Sequence, residues 1–193
     1  MRATVVLAHP YAESFNHALF HRAVQTLQAL DAEVFAHDLY AEKFDPVLTV
    51  AELGKEPSTD PLVRQYTAEL MASDVLVFVH PNWWGRPPAL LAGYIDRIIR
   101  PPHAYEVSEG KLGGKLGVVF NTGNTPAERE NDYFGDPLEA LWKRCLFGFC
   151  GIEDTRRVLF RVVSDSTPAI RRTWLDEAES TLREVVTHFP KRP

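Results

Sequence analysis

Cysteine is scarce in this chain: Cys145 and Cys150 are the only two in 193 residues. Their spacing is not that of a CxxC redox pair, and without a second pair they cannot frame a zinc site, so they read as reduced core thiols. Apolar runs are short. None approaches the roughly 20 residues that cross a bilayer, and the amino terminus passes straight into an apolar strand pattern at residues 4–8 without a signal-peptide cleavage site. The expectation is a soluble, cytoplasmic protein with no membrane insertion. Clustered basic charge is missing too. The formal net charge is −5, and no arginine-rich run points to a nucleic-acid partner.

Several motifs are also missing. No GxGxxG follows the first apolar run and no GxxxxGK[ST] occurs, which disfavours a dinucleotide held as in a Rossmann site or a P-loop nucleotide. HExxH and GxSxG are absent and the histidines lack ligand spacing, so metal and serine hydrolysis have no residue set. No metal is expected.

What is present is a regular alternation. Strand patterns fall at residues 4–8, 33–37, 74–79, 116–120 and 158–163. Helical patterns open at Ser14, at Asp60-Pro61, at Pro88, at Pro137 and at Thr167-Pro168, the last running to His188. Each parallel strand pair needs a crossover helix, so the alternation predicts an α/β fold: one doubly wound, five-stranded parallel sheet in the order 2-1-3-4-5 with helices on both faces. The length suits a single domain over residues 1–193. Residues 38–59 form a long connection without a sustained period. Connections of this kind are usually functional or interface-forming, and Phe44, Val47 and Leu48 are expected to cover something.

In that strand order the first, third and fourth strands are central neighbours, and their exit loops share one crevice where the order reverses. The first loop carries Ser14 and Asn16 to a helix start, where free N–H groups and the helix dipole favour an anion such as phosphate. Ser14 as a simple cap is the competing reading. The third strand leads into His80-Pro81-Asn82-Trp83-Trp84-Gly85, which reads as the mouth of a site. Adjacent tryptophans in a loop diverge, so at least one is expected at the crevice as a platform for a flat conjugated ligand. Asn121-Thr122-Gly123-Asn124 is the exit loop of the fourth strand.

Taken together, His9, Ser14-Phe15-Asn16 with Ala18, residues 81–85, and Thr122-Gly123 resemble the flavodoxin-like NAD(P)H:quinone oxidoreductase family. Residues 91–97, Ala104-Tyr105 and Ser166-Thr167-Pro168-Ala169 extend the resemblance over nearly the whole chain. The resemblance implies a flavodoxin-like fold that binds FMN or FAD, takes hydride from NAD(P)H and reduces a flat aromatic acceptor such as a quinone. It further implies that His9, Ser14, Phe15, Asn16 and Ala18 hold the flavin's phosphate arm. Pro81, Asn82, Trp83 and Trp84 would line its ring, with Asn121, Thr122, Gly123 and Asn124 at the other edge. Relatives are homodimers, which assigns the 38–59 connection and the Tyr133-Phe134 loop to the contact.

Three residues carry two readings each. Arg129 stands where relatives place a tyrosine; it either offers positive charge to the flavin or belongs to the solvated Glu128-Arg129-Glu130 run. Tyr105 either walls the substrate pocket or packs under Pro101-Pro102. Arg172 either meets the adenosine end of FAD or is a solvated helix charge. Two other roles are compatible with the same residues: a flavodoxin-type electron carrier, and a redox-sensing regulatory subunit of a partner such as a potassium-efflux system.

Overall fold

In the computed structural model, which describes residues 1–189, the apolar runs pair in parallel as one sheet. Its strands are β1 (Arg2–Leu7), β2 (Glu33–Asp38), β3 (Val75–Pro81), β6 (Leu116–Gly123) and β7 (Asp154–Arg161), in the order β2-β1-β3-β6-β7. A short antiparallel hairpin, β4 (Tyr105–Glu106) and β5 (Glu109–Gly110), stands between β3 and β6 in sequence. Leaving that hairpin aside, the topology is the expected 2-1-3-4-5.

Helices cover both faces. Helices α1 (Phe15–Gln28) and α5 (Pro168–His188) pack on one side through Leu19, Ala23, Leu27, Ala178 and Leu182. On the other side lie α2 (Pro61–Ala72), α3 (Ala89–Ile98) and α4 (Pro137–Ala140), the last continuing as a wider π-helical segment over Leu141–Gly148. The starts follow from their caps. Ser14, Asp60 and Thr167 each accept a backbone N–H of the first turn, and a proline opens α2 and α5.

Four expectations are corrected. Strands β3 and β6 run on to Pro81 and Gly123, so Asn121 and Thr122 are strand residues; polar side chains there are tolerated because each finds a buried partner. Strand β7 starts at Asp154 instead of Val158, because an edge strand can carry polar residues on its outer side. Cys145 is exposed and only Cys150 is buried, where the apolar surroundings push its thiol up to about 11. Of the three residues expected to cover something, Phe44 is buried, Leu48 is half-buried and Val47 is exposed.

The long connection is held by two buried arginines near the end of α3. Arg97 pairs with Glu52 at 2.8 Å and with Asp60 at 3.2 Å, and donates to the Asp45 carbonyl at 2.7 Å. Arg100 donates to the carbonyls of Glu52, Gly54 and Glu56. At Gly93 the connection lies directly on α3: a Cβ there would stand 2.3 Å from the Pro46 carbonyl oxygen.

Candidate functional site

Parallel strands deliver their exit loops to one end of the sheet, and β1, β3 and β6 do so side by side. The first loop ends at Ser14, whose Oγ accepts the His17 N–H at 3.3 Å. Asn16 is buried in the first turn of α1, and its Nδ2 donates to Thr122 Oγ1 at 2.8 Å, joining the loop to β6. Its Oδ1 is buried with no partner. Such an orphan oxygen marks a place for a donor from outside the chain. His9 Nδ1 accepts the Tyr11 N–H at 3.2 Å, and burial lowers the pKa of the ring, so a neutral His9 carries its hydrogen on Nε2. These residues line a cavity of about 430 Å³ with Trp83, Gly123, Val163, Ser164 and Arg171.

The second loop is a tight two-residue turn. Trp83 and Arg86 exchange backbone hydrogen bonds at 3.1 and 3.2 Å, and both residues between them have positive φ, 59° at Trp84 and 72° at Gly85. That is the I′ geometry of a hairpin. Glycine suits it, and a Cβ at Gly85 would lie 2.7 Å from Pro137 Cγ. Trp84 holds the left-handed conformation at a cost of about 1–3 kcal/mol, which structures sustain mostly at functional sites. The turn sends the two rings apart. Trp83 faces the first cavity beside His9, while Trp84, 94% exposed, walls a second cavity of about 520 Å³ with Gly85, Pro126, Arg129, Phe134 and Pro137. The cavities meet at Asn82, Asn124 and Thr125.

Asn82 sets the turn in place. Its Oδ1 accepts the Gly85 N–H at 3.0 Å, and its Nδ2 donates to the buried Glu130 at 2.9 Å. On the far side Asn124 Oδ1 accepts the Ser164 N–H at 3.0 Å, which brings the β7 exit to the β6 exit. Val162, at the end of β7, sits at φ 54°, a rare conformation for a β-branched residue.

Beneath the loops lies a buried polar network. Trp142 Nε1, which can only donate, reaches His80 Nε2 at 3.0 Å, so that nitrogen is the acceptor and Nδ1–H donates to the Pro81 carbonyl at 2.9 Å. Asn121 donates to the same Nε2 at 2.7 Å and accepts from Arg157 at 2.6 Å. Arg157 continues to Asp136 at 2.8 Å and Glu139 at 3.0 Å. Burial drives the His80 pKa down to about 3, so the ring is neutral.

A family described as having a flavodoxin-like fold matches residues 1–185. An uncharacterised NAD(P)H oxidoreductase of Haemophilus influenzae is 30% identical over 171 residues, covering 83% of each chain. This chain belongs to the flavodoxin-like NAD(P)H:quinone oxidoreductase family. NAD(P)H dehydrogenase (quinone) 1 of Cavia porcellus is 27% identical over 220 residues, covering 97% of this chain and 80% of its own. Among solved structures, Smu.1420 from Streptococcus mutans superposes with a TM-score of 0.85 at 28% identity, covering 95% of this chain and all of the other.

For this member of the oxidoreductase family, the crevice brings together most of the residues that the sequence pattern singles out. His9, Ser14, Phe15, Asn16, Pro81, Asn82, Trp83, Thr122, Gly123 and Asn124 share the first cavity. Trp84 and Arg129 share the second, with the Arg129 guanidinium 5.6 Å over the Phe134 ring. Four residues lie elsewhere. Ala18 packs against the core under α1. Asn121 is fully buried and belongs to the His80 network. Tyr105 lies on the hairpin that precedes β6, at the opposite end of the sheet, with its ring edge-on to Phe149 at 4.9 Å. Arg172 is exposed, and its neighbour Arg171 is the arginine that faces the crevice.

The crevice fits a phosphorylated flavin: Ser14 stands at a helix start, where free N–H groups favour the phosphate, and Asn16 Oδ1 is an unpartnered acceptor that a hydroxyl of the ligand, not its phosphate, would meet. Sequence reasoning gave His80, at the head of the 80–85 stretch, no role of its own, and it missed Trp142, Arg157 and Arg171. A signal for the first was available: His80 and Asn121 interrupt otherwise apolar strands, and a polar residue there needs a buried partner. Among the described residues, no group of three His, Cys, Asp or Glu side chains is placed to hold a metal ion, and no helix is long and apolar enough to cross a membrane.

Proposed function

We propose that this chain is a flavin-dependent NAD(P)H oxidoreductase that reduces quinones or similar flat aromatic acceptors by two electrons, working as one domain in the cytoplasm. The observation that carries the reading is the join of the two cavities at Asn82, Asn124 and Thr125: a helix start suited to an anion, with an orphaned amide oxygen beside it for a ligand hydroxyl, opens into an aromatic-walled pocket. A bound flavin supplies hydride acceptance from NAD(P)H and, in a second half-reaction at the same place, two-electron delivery to the acceptor. The chain's own contribution is binding and placement. Ser14, the backbone N–H of Asn16 and the Nε2–H of His9 hold the phosphate arm, the backbone of residues 81–84 and of 122–124 borders the ring, and Trp84 with Phe134 offers the acceptor an aromatic wall. Arg129 adds a fixed positive charge on that side, which favours anionic character at the ring edge.

The purified protein is expected to show oxidised-flavin bands that bleach with NADPH and return with benzoquinone, and denaturation releases FMN or FAD for identification by mass. A protein that is colourless and takes up no added flavin overturns the reading. A carrier role would instead show slow bleaching by NADPH in stopped flow.

We also propose a homodimer. Val50 and Leu53 are 87% and 70% exposed on a connection that Arg97 and Arg100 hold rigid, and Tyr133 is 79% exposed nearby in the sequence to Phe134. Rigid apolar surface is suited to a partner. Light scattering at micromolar concentration should give twice the chain mass, and a monomer mass would remove the proposal.

A further inference from the structure

Ser14 has one hydroxyl hydrogen and two places to send it. His17 Nε2 lies 3.0 Å from Asp38 Oδ2, and a carboxylate only accepts, so Nε2 carries a hydrogen. His17 Nδ1 lies 3.0 Å from Ser14 Oγ. In a neutral ring that nitrogen is a bare lone pair, and Ser14 donates to it while accepting the His17 backbone N–H. A phosphate in the crevice offers only acceptors. If Ser14 turns its hydrogen to the phosphate, two lone pairs face each other between Oγ and Nδ1. A proton on Nδ1 resolves the conflict, since the ring then donates to Oγ and leaves the hydroxyl hydrogen free for the ligand.

We propose that anion binding at Ser14 is coupled to uptake of one proton by His17 at Nδ1, with Asp38 holding the resulting imidazolium. This rests on the flavin reading of the crevice. It adds that His17 and Asp38 act through Ser14 as positioning residues. The proton comes from solvent, no bond between heavy atoms forms or breaks, and the phosphate keeps its own charge. Asp38 is fixed for the task, because its Oδ1 accepts the N–H groups of Tyr40 and Ala41 while Oδ2 faces the ring.

The same wall holds a contrasting histidine. His9 Nδ1 is already occupied by the Tyr11 N–H, so His9 meets an anion with Nε2–H and needs no added proton. Facing His17 are Asp38 from the end of β2, His9 from the first loop at 6.3 Å between ring centroids, and His21 one turn along α1 at 6.5 Å. Asp38 is the negative charge among them and bonds the ring directly. A ligand with a donor group as well as an anion, such as a phosphorylated polyol, is called for independently by the buried, unpartnered Oδ1 of Asn16 in the same cavity.

Linkage fixes the sign. A complex that takes up a proton binds more weakly as pH rises, by up to about tenfold per pH unit where uptake is complete. The test is calorimetric titration of flavin-free protein with FMN, and in parallel with FAD, at pH 8 in Tris and in HEPES, whose different ionisation heats count protons. At that pH an FMN phosphate, with a second pKa of about 6, is already a dianion and contributes none. Wild type should take up close to one proton per flavin. Ser14→Ala removes the competition together with one phosphate contact, and His17→Asn places an amide donor where Nδ1 stood, so Ser14→Ala should bind more weakly than wild type and both should show proton uptake near zero. His9→Gln should bind more weakly with the uptake unchanged.

Equal proton counts in wild type, Ser14→Ala and His17→Asn would overturn the coupling while leaving flavin binding intact. So would loss of uptake in His9→Gln alone. Absence of binding by wild type to either flavin would overturn the flavin reading itself.

Discussion

Glu52→Gln should lower the unfolding free energy by about 3–5 kcal/mol, the usual cost of stranding one member of a buried ion pair. Glu52 and Arg97 are nearly sealed from solvent, with side chains 2% and 3% exposed. The Glu52 carboxylate also accepts from Ser58 at 2.6 Å and from the Thr49 backbone and hydroxyl at 2.9 and 3.1 Å. Asp60 is the remaining counter-charge on Arg97, and it is a third exposed, so it offsets only part of the loss. Urea denaturation should show a lower midpoint with an unchanged slope. The Arg97 guanidinium and the surrounding donors pull the Glu52 pKa from 4.5 down to about 2. A depressed carboxylate contributes fully above its ordinary value and loses that contribution as pH falls from about 4.5 towards 2. The variant should therefore lack this acid-sensitive window. A midpoint within error of wild type would mean that the pair behaves as a surface ion pair, contrary to its burial.

His80→Leu is the second large change. Leucine of similar volume leaves Trp142 Nε1–H and Asn121 Nδ2–H without their shared acceptor, and each buried, unsatisfied donor costs about 1–3 kcal/mol. The loss should reach the crevice, because Pro81 and Asn82 follow directly and Asn121 leads into Thr122. Flavin affinity should fall along with stability. The pH dependence separates this from simple core damage. The folded His80 titrates at about 3 against an ordinary 6.5, so the unfolded chain binds the extra proton first, and stability declines as pH drops through that interval, by up to about 1.4 kcal/mol per unit. Chemical denaturation between pH 7 and 4 should be steeper in wild type than in the leucine variant. Parallel curves would show that His80 is not held neutral by the fold.

Much of this architecture is legible in the chain because it is local. Ser14, Asp60 and Thr167 announce helix starts by capping chemistry that spans three residues, and the apolar runs at β1 and β3 need no partner to be recognised as buried strands. The crevice follows from strand order alone. What escaped is non-local. Trp142 bonds His80 across 62 residues, Arg157 bonds Asn121 across 36 and Asn16 bonds Thr122 across 106, and no periodicity encodes such pairings. The β6 boundary has the same origin: the strand continues through Asn121 and Thr122 because His80 and Asn16 satisfy their polar side chains inside the sheet. Arg171 and Arg172 stand about 100° apart around α5, so the two cannot both face the crevice, and it is Arg171 that does.

The divergence of Trp83 and Trp84 at the I′ turn has a consequence for how such a chain changes over generations. Under the proposed function, cofactor retention depends on the Trp83 side, and acceptor choice on Trp84, Arg129 and Phe134, with only Asn82, Asn124 and Thr125 common to both. Drift on the outer wall can therefore broaden or narrow the range of acceptors while the inner wall stays under constant selection, so new substrates are within reach of single substitutions that leave the holoprotein assembled.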